Sequence, residues 1–158
     1  MNSPKKLIVL MILLVWTSKL FAQDSPVMLP VVTSKINGIN IFGKPIDQQT
    51  RCVHWHSKLD VIAIKFKCCE KYYPCFSCHE ETADHKSEVW PKAEFDQKAI
   101  LCGVCGNELS IIEYMGSNNT CPKCQAAFNP GCSKHYHLYF ETEDGRQKTE
   151  ETAPRTNN

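Results

Sequence analysis

The apolar positions of this chain fall into short runs separated by charged or turn-forming residues, a pattern of brief elements rather than long helices. DVIAIKFK, residues 60–67, is short and rich in branched side chains, so a strand is expected there. AILCG, residues 99–103, reads as a second strand. FSCHEETADH, residues 76–85, follows a turn at Pro74 and carries the polar, helix-favouring residues of one short helix. In NELSIIEYM, residues 107–115, Ser110 and Glu113 stand at capping-box spacing, which favours a short helix over a strand. FNPGC, residues 128–132, is a turn, and HYHLYFE, residues 135–141, alternates His135, His137 and Tyr139 as a terminal strand would. Upstream, VMLPVV (27–32) and INIFG (39–43) could each add an edge strand.

These runs carry little apolar mass. Trp55, Tyr72, Tyr73, Phe76, Trp90 and Phe128 supply most of the bulky side chains, while ordering a backbone costs roughly 1–2 kcal/mol per residue. A unit built this way calls for covalent or metal staples. All 10 cysteines and all 6 histidines lie between Cys52 and His137, which marks the stapled part.

The expected organisation is a signal-like apolar segment over residues 1–22, a linker over 23–47, one domain over 48–141 and a disordered polar tail over 142–158. MNSPKK supplies charge, LIVLMILLVW an apolar run of ten, and TSKLFAQDS a polar exit with Ala22 near a plausible cut. That run is too short for a comfortable membrane span. If the segment operates, the chain is exported, anchored to a membrane through this segment alone, or placed in an intermembrane space; translation from Met28 would leave it cytoplasmic. The net charge of +1 and the acidic stretch HEETADHKSEVW offer no electrostatic footprint for nucleic acid, so no such partner is expected.

The strongest local motif is CGVCGNELSIIEYMGSNNTCPKC, residues 102–124, a CxxC pair, fifteen intervening residues and a second CxxC. Two residues between cysteines let both thiolates reach one ion at about 2.3 Å, and two such knuckles complete a tetrahedron. Cys102, Cys105, Cys121 and Cys124 are therefore assigned to one closed zinc site, with Gly103, Gly106 and Pro122 suited to its turns. A thioredoxin-like redox motif would need one CxxC on a βαβ frame, which is absent.

The first half is denser. In an extended RCVHWHS, Cys52, His54 and His56 would share one face, leaving Val53 and Trp55 for the other. Cys75 and Cys78 form a knuckle that could complete Cys52 and His54. Adjacent Cys68 and Cys69 cannot both face one ion in a continuing strand, so either the strand breaks there, the favoured reading because EKYYP turns at once, or the two sulfurs serve different ions. His79 and His85, six apart, require the helix to end before His85. The expected partition is Cys52, His54, Cys75 and Cys78 on one ion and Cys68, Cys69, His79 and His85 on another. His56, Cys132, His135 and His137 either hold a fourth ion or support the other ligands through hydrogen bonds. HEETADH lacks the four-residue histidine spacing of a metalloprotease helix, and a thiolate closed around zinc is blocked as a nucleophile, so no catalysis is expected.

TRCVHWHSKLDVIAIKFKCCEKYYPCFSCHEETADH, followed by AILCGVCGNELS, CPKCQAAFNPGC and HYHLYFE, closely resembles the CHY-type zinc finger family, particularly its small stand-alone members. The resemblance implies a small irregular α+β zinc-stapled domain of short strands and short helices that binds three zinc ions. For one small member, of the mitochondrial intermembrane space, it further implies a part in the oxidative assembly of small translocase subunits, by removal of zinc from an import oxidoreductase. The functional expectation is accordingly a zinc-binding module acting as a metal-handling or redox and protein-assembly accessory, with a protein partner that is thiol-rich or redox-active. The alternative is an interaction adaptor with purely structural zincs, whose contact surface would come from Trp55, Tyr72, Tyr73 and Trp90.

Overall fold

The computed structural model describes residues 32–143. The signal-like segment, most of VMLPVV and the end of the polar tail lie outside these residues. Six strands form one sheet in the order β1-β2-β4-β3-β5-β6: β1 Val32–Ile36, β2 Ile39–Phe42, β3 Ile62–Lys65, β4 Tyr72–Tyr73, β5 Lys98–Cys102 and β6 Glu108–Ser110. Helices α1, Phe76–Thr82, and α2, Ile111–Met115, complete an α+β domain of short elements, as expected. INIFG supplies β2 and pairs with β1 through Asn37-Gly38, whose φ values of 48° and 83° suit the tight hairpin turn. β2 meets β4 in parallel, and every other pair in the sheet is antiparallel.

The central strands separate two apolar faces, because successive side chains point to opposite sides. Ile62, Ile64, Ile100 and Cys102 join Trp90, Leu109, Ile111, Tyr114, Phe128 and Phe140 on one face. Ala63 and Leu101 join Ile36, Ile41 and Tyr72 on the other. Phe66, Tyr73, Cys75 and Cys78 form a third cluster where β3, β4 and α1 converge.

Two expectations about elements are corrected. NELSIIEYM divides: Glu108–Ser110 pairs with β5, and the helix begins only at Ile111. The capping box itself forms, with the Glu113 amide donating to Ser110 Oγ at 3.2 Å and the Ser110 amide donating to Glu113 Oε2 at 2.7 Å. HYHLYFE is not a strand. Its first four residues end a 3₁₀ helix, Pro130–Leu138, which Asn129 caps by accepting from the Gly131 amide at 2.8 Å and Pro130 starts. At three residues per turn Tyr136 and Tyr139 fall on one side. Tyr136 packs against Tyr114 (centroids 5.9 Å apart) and Tyr139 against Phe66 (5.6 Å), so aromatic burial overrides the apparent alternation. Strand-like pairing survives only as a bridge between Trp90 and Phe140.

Candidate metal centres

The turn that follows β3 brings Cys68 and Cys69 to one site. The Glu70 amide donates to Phe66 O at 2.8 Å, and Glu70 takes a left-handed φ of 54°, so the strand breaks there, the favoured of the two expectations for the adjacent cysteines. Cys75 caps α1, its sulfur accepting from the Cys78 amide at 3.4 Å. This is the amide-to-sulfur arrangement of a metal knuckle, and it places Cys75 and Cys78 together while His79, the next residue, points elsewhere. Helix α1 ends at Thr82, as His85 required, and the chain returns so that His85 meets His79.

In the second half, the Gly106 amide donates to Cys102 O at 2.7 Å and the Gln125 amide to Cys121 O at 2.9 Å. Both knuckles close with a left-handed residue, Gly106 at 69° and Gln125 at 62°. Gly106 has a further constraint: a Cβ there would stand 2.1 Å from Asn37 Nδ2, the group that donates to Cys105 O at 2.6 Å.

Ligand atoms of Cys52, His54, Cys75 and Cys78 lie within 4.8 Å of one another, as do those of Cys68, Cys69, His79 and His85, and those of Cys102, Cys105, Cys121 and Cys124. The partition equals the one expected from sequence. The fit to zinc can be tested on the spacing. Bonds of about 2.3 Å to sulfur and about 2.05 Å to nitrogen give tetrahedral edges of about 3.8 Å between sulfurs, about 3.6 Å between sulfur and nitrogen and about 3.3 Å between nitrogens. Sulfur pairs stand at 3.7 Å (Cys52–Cys75), 3.9 Å (Cys68–Cys69) and 3.8 Å (Cys102–Cys124 and Cys105–Cys121). His54 Nδ1 is 3.5 Å from both Cys75 and Cys78, His79 Nε2 is 3.3 Å from Cys68, and the two Nε2 atoms of His79 and His85 are 3.3 Å apart. A disulfide would need about 2.05 Å between sulfurs. No two of the ten cysteines stand at disulfide distance, and the donor sets fit zinc.

Electrostatics agrees. Without a cation, the Cys52 thiol is drawn down to about 2 by hydrogen bonds from Cys75 and Cys78. Cys75 is pushed far up by its bond to Cys52, and Cys78 is pushed up to about 11 for the same reason. Burial pushes Cys68 up to about 11 and also raises Cys102. One thiolate can thus be accommodated where three must ionise together, and a divalent cation supplies the missing charge.

Sequence reasoning missed the carboxylates that orient the histidines. His54 Nε2 lies 3.0 Å from Glu81 Oε1, His79 Nδ1 3.2 Å from Glu80 Oε1, and His85 Nδ1 2.8 Å from Asp84 Oδ1. Each bond fixes which ring nitrogen is left for the metal. The signal was visible in HEETADH, whose acidic residues are interleaved with two of the ligands.

His56 does not join the others. The Cys52 amide donates to Trp55 O at 2.9 Å, so Cys52 to Trp55 is a turn rather than an extended segment, and the shared face expected for His56 is lost. Among the described residues, His56, Cys132, His135 and His137 form no metal-ligand group. His56, His135 and His137 are exposed, with the His135 ring against Trp55 at 6.0 Å, while Cys132 lines a cavity of about 260 Å³ with Ile62, Tyr114 and Tyr136. Of the four aromatics considered for a contact surface, Tyr72, Tyr73 and Trp90 are buried, and Trp55 is half exposed.

Three cysteine and histidine clusters on a small α+β frame define a zinc-binding module of the CHY type. The family model described as CHY zinc finger matches residues 52–136, and the chain belongs to that family. Among curated relatives, Helper of Tim protein 13 of Saccharomyces cerevisiae is 53% identical over 104 residues, covering 64% of this chain and 90% of that protein. Helper of Tim protein 13 of Kluyveromyces lactis is 45% identical over 104 residues, covering 66% of this chain and 90% of that protein. An uncharacterised Schizosaccharomyces pombe protein is 44% identical over 102 residues, covering 65% of this chain and 89% of its own length.

Proposed function

We propose that the chain is a non-catalytic zinc-handling accessory in the assembly of the mitochondrial import machinery, working on a thiol-rich protein partner in the intermembrane space. Its twelve clustered ligands hold three zinc ions, one for each group. The observation that carries the reading is the gathering of those ligand atoms at zinc-like spacings in a chain that spans 90% of a protein named as a helper of Tim. Zinc supplies charge neutralisation and a fixed tetrahedron when bound. The chain's own residues hold the thiolates in place: Cys75 and Cys78 by the cap of α1, Cys102 and Cys105 by the knuckle at Gly106.

The adaptor reading is weakened by the burial of Tyr72, Tyr73 and Trp90, which leaves Trp55 alone of its four proposed contacts at the surface. The test is twofold. Expression in yeast lacking Helper of Tim protein 13 is expected to restore assembled small Tim complexes on native gels, and Cys102→Ser with Cys121→Ser to abolish the rescue. Purified chain is expected to exchange zinc with a reduced peptide carrying two CxxC pairs. Full rescue by a chain that exchanges no zinc would overturn metal handling and favour the adaptor.

A further inference from the structure

Resting on the metal-handling reading, we infer that the exchangeable ion is the one held by Cys68, Cys69, His79 and His85, and that His85 is the ligand that leaves to admit an incoming thiolate. Three independent features of the chain converge on this group.

The first is ligand charge. Against a divalent cation, two thiolates and two imidazoles leave a neutral centre, three thiolates and one imidazole leave one negative charge, and four thiolates leave two. An acceptor thiolate approaching the Cys68 group is not repelled by the centre it attacks, whereas the group of Cys102, Cys105, Cys121 and Cys124 repels it most.

The second is access. In the Cys52 group all three cysteines are buried. In the Cys102 group Cys102 and Cys121 are fully enclosed. In the Cys68 group His79 alone is buried; Cys68, Cys69 and His85 are all partly open, with the His85 side chain 32% exposed.

The third is how each histidine is tied to the fold. His79 sits on α1 with its ring stacked on Phe66, centroids 4.2 Å apart at 9°, and edge-on to Tyr73. His54 is tied across the fold to Glu81 of α1, which also pairs with Lys44 at 2.6 Å. His85 is oriented by Asp84, its own chain neighbour, in a segment without helix or strand between Thr82 and Trp90. The carboxylate therefore travels with the ring instead of holding it to the sheet.

Exchange is then a ligand substitution with no redox change. His85 would give up its place to an acceptor sulfur, and Cys68, Cys69 and His79 would be replaced in turn; of the four protons lost by the acceptor's four thiols, two would return to the Cys68 and Cys69 thiolates and two would pass to the buffer, and the ion would end on four acceptor sulfurs.

The experiment uses the full chain loaded with ¹¹³Cd, whose resonances separate according to the number of sulfur ligands. Addition of a reduced peptide with two CxxC pairs is expected to remove the two-sulfur resonance first, at least tenfold faster than the other two. His85→Cys, which adds a thiolate and a negative charge, is expected to slow zinc loss from that group to a colorimetric chelator at least tenfold. Earlier loss of the three- or four-sulfur resonance, or loss of all three at one rate, overturns the assignment while leaving zinc handling intact. Fast release of the two-sulfur ion to the chelator with no transfer to the peptide upholds the assignment and overturns the handling reading instead. The spectra of the unsubstituted chain decide the assignment even if His85→Cys does not fold.

Discussion

His54 and Glu81 stand twenty-seven residues apart in sequence and 3.0 Å apart in space, Nε2 to Oε1, so the loop that carries Cys52 is fastened to α1 through a histidine whose other nitrogen faces three cysteine sulfurs. Hydrogen bonds of this kind hold a ligand's tautomer and raise its basicity, and their loss typically costs 10–100-fold in metal affinity. Glu81→Gln is expected to weaken the Cys52-group zinc by about that factor, read as one of the ions moving in a chelator competition titration. The other two should not move.

Zinc uptake should also depend on pH in a definite direction. Cys75 and Cys78 hold their protons well above the usual thiol range, and Cys52 has already lost its own. Binding must displace the two retained protons, so affinity rises with pH. Above the usual imidazole range the logarithm of the binding constant for this group should climb by about two units per pH unit through its cysteines. Proton release into a weak buffer, followed calorimetrically, checks it, and a flat profile would show that the thiols are ionised before metal arrives.

The ligand grouping was legible in sequence because knuckle spacing is local: Cys102-x-x-Cys105 and Cys75-x-x-Cys78 must each face one ion whatever the surrounding fold. The break after β3 was one of two readings of adjacent Cys68 and Cys69, favoured because EKYYP turns at once. The C-terminal element was misread because His135, His137 and Tyr139 imitate a strand's period, while the decisive contacts, Tyr136 on Tyr114 and Tyr139 on Phe66, are long-range. His56 was misplaced for a related reason: alternation holds only in extended backbone, and the Cys52-to-Trp55 hydrogen bond bends it. The carboxylate partners of the histidines were overlooked because an acidic run reads first as a solvated face.

Trp90 ties the C-terminal segment to the sheet. Its indole donates to Lys65 O at 2.7 Å, its amide donates to Tyr139 O at 2.8 Å, and Lys67 Nζ lies 4.8 Å from the ring centroid. Trp90→Phe keeps most of the apolar volume but strands the Lys65 carbonyl, and a loss of about 1–3 kcal/mol is expected. Trp90→Ala adds a cavity and should cost about 3–5 kcal/mol. Urea unfolding of the zinc-loaded chain measures both; an unchanged stability for Trp90→Phe would mean that the hydrogen bond contributes nothing.

The last prediction concerns the number of ions. His56, Cys132, His135 and His137 are not gathered into a ligand group, whereas twelve other cysteines and histidines form three. Native mass spectrometry of chain purified without added metal is therefore expected to show three zincs. Joint substitution of His56, His135 and His137 by Ala should leave that count and the folded fraction unchanged, since all three side chains face solvent. Cys102→Ser should remove one zinc and destabilise strongly: each structural zinc contributes an apparent ~10–16 kcal/mol of folding free energy in small domains, and Cys102 is wholly buried at the end of β5. A fourth zinc that disappears with the triple substitution would show that these side chains reorganise around metal.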